Sequence, residues 1–295
     1  MIAVSSPAVV RELLKRNNLA CRKSLGQNFL VDANIISKII TEANLTKNDL
    51  VVEIGPGLGA LTVPMAKTAG KVLAVEIDRG LVSVLSEITA GTGDIEIIEG
   101  DALKTDFDAL VSEKTNGQYG SGRLPYKLIA NLPYYITSPL LAHLLGKKYN
   151  ISELVVMVQY EVAVRLAAPA GTKAYGVLSV AAQYYSDITI LFRIPGTVFY
   201  PATAVDSAVV RLTVRPPVTP VDNEEEFFKV VRAAFAKRRK TLLNTLSSSG
   251  LGLDKNQLEI ILNNTGIDPK CRGETLTLAD FARLTEQISR QIQVG

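Results

Sequence analysis

The stretch Val51-Val52-Glu53-Ile54-Gly55-Pro56-Gly57-Leu58-Gly59-Ala60 decides the fold. A short apolar run stops at a cluster of glycines, and a helical segment follows to about Ala69. Such a run bounded by turn residues reads as a strand. Glycines let the backbone come close to a ligand, and the N-terminus of the following helix attracts negative charge.

The same alternation repeats downstream. Residues 72–75 form a second apolar run that ends in Glu76-Ile77-Asp78, ahead of a helical segment over 80–88. A third run, 95–98, ends in Gly100-Asp101, and a fourth, 127–130, ends in Asn131-Leu132-Pro133-Tyr134. A fifth covers 154–158. Strands alternating with helices predict a parallel sheet with helices on both faces. Two late β-rich runs, 188–194 and 208–214, are expected to close it as an antiparallel edge. The fold class is therefore α/β, with a seven-stranded, mostly parallel sheet.

Upstream, residues 7–18 read as a helix with Pro7 in its first turn. A loop from Arg22 to Leu30 follows, and Asp32 caps a helix whose Ile35, Ile36, Ile39 and Ile40 keep helical spacing. Downstream, Pro216, Pro217 and Pro220 mark a linker. Domains are thus expected over 1–214 and 215–295, the second all-helical. Its first helix opens on the capping pair Asn223 and Glu226 and carries Phe227, Phe228, Val231, Phe235, Leu242 and Leu243.

Composition narrows the function classes. With 295 residues and 47% apolar content the chain can bury a large core. The net charge, 32 − 29 = +3, does not itself call for nucleic acid, so any basic surface is local. Cys21 and Cys271 fit no CxxC spacing, which argues against a disulfide framework or a zinc site and for a reducing compartment. The sole histidine, His143, lies in an apolar segment without a Ser or Cys partner pattern and reads as a packing residue. No apolar run has transmembrane length and no signal-peptide pattern opens the sequence. A cytoplasmic protein with no membrane association and no metal is expected.

Sheets of this type bind ligands at the carboxyl ends of their strands. There Glu76 is placed to accept hydrogen bonds from ribose hydroxyls, and Asp101 from the exocyclic amine of an adenine. Gly55, Gly57 and Ala60 also satisfy G-x-G-x-x-A, so these features leave a nicotinamide dinucleotide and S-adenosylmethionine both open. The end of the fourth strand separates them. Hydride transfer has no obvious use for Asn131-Leu132-Pro133-Tyr134, whereas methyl transfer to an exocyclic amine does. The lone pair of an adenine N6 is delocalised into the ring. The Asn131 amide and the Leu132 carbonyl can bond its hydrogens and orient that lone pair, with Tyr134 stacked on the base. Phe199 is the candidate for a second ring on the opposite face. Lys237-Arg238-Arg239-Lys240, read as helical, is the densest charge run and the candidate RNA-backbone contact, with Arg22 and Lys23 as a second.

Taken together, Gln27-Asn28-Phe29-Leu30, Glu53 to Gly59, Asn131 to Tyr134 and Phe199-Tyr200-Pro201 resemble the ribosomal RNA adenine N6 dimethyltransferase family. The likeness runs from about Lys23 to Phe281 and includes Phe235 to Leu242 and Arg272-Gly273-Glu274. It implies a Rossmann-like class I methyltransferase fold with a small helical C-terminal domain. The implied activity is dimethylation of two adjacent adenines near the 3′ end of 16S ribosomal RNA, within an immature small subunit, by a monomer. It implies S-adenosylmethionine contacts from Gln27, Asn28, Leu30, Gly55 and Gly57, and from Glu76, Ile77, Asp101, Ala102 and Asn131. Tyr160 departs from the pattern, standing where a basic residue is expected. Rival readings are the related methyltransferase of large-subunit RNA, a ribosome-assembly or transcription factor that keeps the fold without catalysis, and a nicotinamide oxidoreductase.

Overall fold

Runs of β-branched residues bounded by glycine and polar turns produce the strands. The computed structural model describes residues 4–22 and 25–294. Among these the strands are, in order, β1 (Phe29–Leu30), β2 (Leu50–Ile54), β3 (Lys71–Glu76), β4 (Ile95–Glu99), β5 (Tyr126–Asn131), β6 (Ile151–Gln159), β7 (Ser186–Ile194), β8 (Phe199–Tyr200) and β9 (Ser207–Val214). Seven of them form one sheet in the order β4-β3-β2-β5-β6-β9-β7. The run from β4 to β6 is parallel throughout. β9 is antiparallel to β6 and lies between it and β7, so the two late strands do complete the sheet. β2 is buried along its whole length, as a strand covered on both faces must be.

Helices cover the sheet through one apolar stripe each. In the helix Ala33–Ala43, Asp32 caps the N-terminus by accepting from the amides of Asn34 and Ile35 at 2.9 and 3.0 Å. Its Ile36 and Ile39 pack with Met65 of the helix Thr62–Thr68 and with Val51, Val72, Ile129 and Val155 of the sheet. A second cluster joins Leu58, Leu81 and Val84 to Val10, Leu13 and Leu14 of the helix Pro7–Arg16. His143 is a packing residue, edge-on to the rings of Phe107 and Tyr149.

The chain divides into two compact units, Met1–Ala163 with Asp187–Val214, and Val164–Ser186 with Arg215–Gly295. Residues 164–186, grouped with the first domain by a boundary at 214, thus belong with the second unit. Aromatic packing is the cause. Tyr184 contacts the rings of Phe227 and Phe228 at 4.9 and 5.6 Å, Tyr185 stacks on Phe228, and Tyr175 meets Phe235. The Tyr185 hydroxyl also donates to Glu224 at 2.8 Å.

The charge run corrects a second expectation. The helix that opens at Asn223 ends at Ala234, and the next, Leu242–Leu246, begins after a non-helical turn. Lys237, Arg238, Arg239 and Lys240 all lie on that turn and are all exposed, closed by the Lys240 amide donating to the Lys237 carbonyl at 3.0 Å. Like charges three and four apart destabilise a helix, so a turn is the cheaper conformation for them.

Candidate active site

The carboxyl ends of β2, β3, β4 and β5 open onto a cavity of about 240 Å³, closed on another side by residues 25–30 around β1. Gly55 and Gly57 adopt left-handed φ values of 68° and 58°. A Cβ on Gly57 would stand 3.2 Å from the Phe29 ring, so the loop and β1 approach as closely as a bare backbone allows.

Glu76, at the end of β3, is 5% exposed and accepts from the amides of Gly57 and Asp78 at 3.0 and 2.9 Å. Burial raises its pKa against those two hydrogen bonds, and nearby Asp78 adds to the rise. Asp101, after β4, accepts from the Leu103 amide at 3.0 Å and keeps its second oxygen loosely paired with Lys104 at 3.7 Å. Ile77 is half-exposed, and together with Ala102 it gives the cavity an apolar edge against which a flat ring can lie.

Asn131 ends β5, level with Met157 of β6. Its Nδ2 donates to the Asn28 carbonyl at 3.1 Å. A carbonyl only accepts, so this contact fixes the amide and turns Oδ1 outward as an acceptor. The Leu132 amide is spent on the Met157 carbonyl at 3.0 Å. The Pro133 carbonyl is taken by Ile136 and Thr137. Among the described residues no donor reaches the Leu132 carbonyl. Two acceptors therefore stand side by side with capacity to spare. Tyr134 lines the same cavity, and its hydroxyl shares a 2.7 Å hydrogen bond with Ser207.

All ten expected cofactor residues line this one cavity, together with Leu132 and Tyr134. Gln27 is held there by two partners, its Nε2 donating to Asp78 at 2.9 Å while its oxygen accepts from the Arg22 amide at 2.8 Å. Two other candidates have partners outside this lining. Phe199 is 3% exposed and is absent from the lining. In β8 it pairs opposite Leu30 of β1, and it joins the core with Leu30, Ile194 and Val209. Arg22 turns its guanidinium to Asp78 at 3.3 Å and so braces the loop before β1. Lys23 lies outside the described residues.

Two functional candidates escaped the sequence reading. Tyr135 is 51% exposed, lines the cavity and packs over Gly26. Its pKa is raised by burial and then by Asp101 and Glu76, and its only sequence signal is the doublet with Tyr134. Glu53, in the middle of the deciding stretch, is 2% exposed and lines the cavity floor. Thr62 donates to it at 2.5 Å, yet burial, with repulsion from Glu76, pushes its pKa up to about 8.

The electrostatics choose between the two cofactor classes. Among the described residues, the lining carries the acidic side chains of Glu53, Glu76 and Asp101 and no basic one. The Gly57 amide, which a pyrophosphate would need, is already bonded to a carboxylate. A dinucleotide fits poorly. A ligand with a cationic centre, ribose hydroxyls and an adenine amine suits these acidic acceptors.

A family model described as ribosomal RNA adenine dimethylase matches residues 18–288. A curated relative from Pelotomaculum thermopropionicum, named ribosomal RNA small subunit methyltransferase A, is 60% identical over 287 residues, covering 97% of each chain. The crystal structure of a dimethyladenosine transferase from Plasmodium falciparum is similar with a TM-score of 0.70 at 25% identity, covering 89% of this chain and 98% of that one. That of the 23S rRNA methyltransferase ErmE shares the fold with a TM-score of 0.66 at 24% identity, over 89% of this chain and 100% of the other.

Proposed function

Because the chain belongs to the ribosomal RNA adenine dimethylase family, we propose that it transfers methyl groups from S-adenosylmethionine to N6 of two adjacent adenines near the 3′ end of 16S ribosomal RNA. Its place of action is an immature small subunit in the cytoplasm. The observation that carries the chemistry is the pair of available acceptors at the end of β5, Asn131 Oδ1 and the Leu132 carbonyl, beside an acid-lined cavity. The small-subunit name of the 60%-identical relative favours that RNA over the large-subunit one.

Glu76 would hold ribose hydroxyls, Asp101 the adenine amine, and the backbone at Gly55 and Gly57 the remainder of the cofactor. The cofactor supplies an electrophilic methyl on a cationic sulfur. Asn131 and Leu132 bond the two hydrogens of the target amine and thereby draw its lone pair out of conjugation. Tyr134 stacks on the base, its ring held by Ser207. After one transfer a single N–H remains, so one acceptor suffices to orient the amine for the second. Fixing donor and acceptor in line accounts for much of the acceleration. RNA phosphates are met by the exposed Lys237–Lys240 turn.

The test is transfer of labelled methyl groups to small-subunit particles from cells that lack the enzyme. The expected product is dimethyladenosine in small-subunit RNA at two neighbouring positions. Label confined to large-subunit RNA, or no label, would overturn this reading.

A further inference from the structure

We infer that Tyr160 and Arg193 form a stacking platform for the base of a nucleotide adjoining the target adenine. This rests on RNA being the substrate, and it adds a binding surface outside the cofactor cavity.

Tyr160 follows Gln159, the last residue of β6, and opens the helix Tyr160–Ala167. Tyr160 is 36% exposed, and the guanidinium carbon of Arg193 lies over one side of its ring at 4.4 Å from the ring centre. Asp206 builds the arrangement. Its Oδ2 accepts from Arg193 Nε at 2.8 Å and faces Nη2 at 2.7 Å. Its Oδ1 accepts from the Gly196 amide at 3.2 Å, and its carbonyl accepts from the Tyr160 amide at 2.9 Å. The guanidinium and the backbone that carries the ring are both held before any ligand arrives, which lowers the ordering cost of binding.

The position is the informative part. Ser207, the residue after Asp206, bonds the hydroxyl of Tyr134, and Ser207 also stands opposite Gln159 across the β6–β9 pair. Ser207 thus anchors the Tyr134 ring, while Asp206, the residue before β9, holds the Tyr160 backbone and the guanidinium that lies over its ring. Both emerge at the carboxyl ends of neighbouring strands, since Asn131 of β5 is level with Met157 of β6. A single exposed tyrosine is ordinary. A tyrosine backed by an immobilised guanidinium, next to the site that holds a base, is a stacking surface of the kind that single-stranded RNA uses. Asp206 neutralises Arg193, so the surface recognises a flat ring and contributes no net charge towards phosphate.

The first measurement is affinity for unmethylated small-subunit particles. Tyr160→Ala is expected to weaken binding about 5- to 150-fold, while Tyr160→Phe stays near wild type. The slope of log affinity against log salt is expected to be the same in Tyr160→Ala and wild type, because the ring meets a base and not a phosphate. The second uses the absence of tryptophan from the sequence. In Tyr160→Trp the single indole should be quenched by a single-stranded RNA carrying the two adenines, and less so when the neighbouring nucleotides are abasic. Wild-type affinity in Tyr160→Ala, or equal emission with intact and abasic RNA, would overturn the platform and leave the methyl-transfer reading standing. Failure of the wild-type protein to bind any of these RNAs would instead overturn the RNA reading itself.

Discussion

The Gly57 amide donates to Oε2 of Glu76 at 3.0 Å, tying the glycine loop after β2 to the end of β3. One carboxylate therefore shapes the loop and offers its remaining lone pairs to the cavity. Glu76→Gln keeps an oxygen for one amide but presents an –NH2 where the second donor needs an acceptor. Losing a charged hydrogen bond costs about 1.5–3 kcal/mol, so the dissociation constant for S-adenosylmethionine should rise roughly 10- to 150-fold. Calorimetric titration measures it. An unchanged constant would remove Glu76 from cofactor binding.

Asn131 should separate binding from chemistry. Its amide is clamped by the Asn28 carbonyl, which leaves Oδ1 as the acceptor proposed for the target amine. Removing a preorganised polar group of this kind typically costs about 100- to 1000-fold in turnover. Asn131→Ala is expected to lose that much in kcat, with cofactor affinity reduced far less. Single-turnover methylation alongside calorimetry distinguishes the two effects, and a variant with full turnover would show that the amide does not orient the amine.

Glu53 gives stability and cofactor binding a pH dependence. Its carboxyl has a pKa of about 8 in the folded protein against 4.5 for a free side chain, chiefly because of burial. Between those values the folded state retains a proton that the unfolded chain has released. Stability therefore falls as pH rises from about 4.5 to about 8, by up to roughly 1.4 kcal/mol per unit, and levels off above. Glu53→Gln, which can still accept from Thr62, should abolish that slope and be the more stable protein at about pH 9. A cationic ligand favours the ionised carboxyl, so S-adenosylmethionine should expel a proton on binding and bind more tightly as pH rises towards 8. Titrations in buffers of different ionisation enthalpy report the proton directly. Equal heats in all buffers, corrected for dilution, would contradict the coupling.

What the sequence reveals follows from how local each feature is. The strands of the parallel sheet are apolar runs with a turn after each, and their ends carry Glu76, Asp101 and Asn131, so the residues that line the cavity there are legible in the chain. Phe199 is not, because its burial depends on β8 pairing with β1, and nothing in the local pattern announces a partner so remote in sequence. Residues 164–186 join the second unit through aromatic contacts with Phe227, Phe228 and Phe235, which are equally non-local. The Lys237–Lys240 run is misread as helix because the apolar spacing of Phe235 and Leu242 bridges a turn. Glu53 is visible in the chain, but its raised pKa comes from depth and from Glu76 on the next strand.

The turn also sharpens the expectation for RNA. On a helix, four successive cations would point around a full turn. On the exposed turn between Ala234 and Leu242 they crowd one short segment, and no described carboxylate forms an ion pair with any of them. Their charge is therefore available to phosphates, unlike that of Arg22, which Asp78 engages. Replacing Lys237 and Lys240 together by alanine should lower affinity for unmethylated particles at low salt. It should also reduce the slope of log affinity against log salt by about one for each phosphate left without its lysine. Arg22→Ala should leave that slope unchanged and instead loosen the loop before β1, weakening S-adenosylmethionine binding through Gln27 and Asp78. A double lysine variant with the wild-type salt slope would assign the RNA footprint to another surface of the protein.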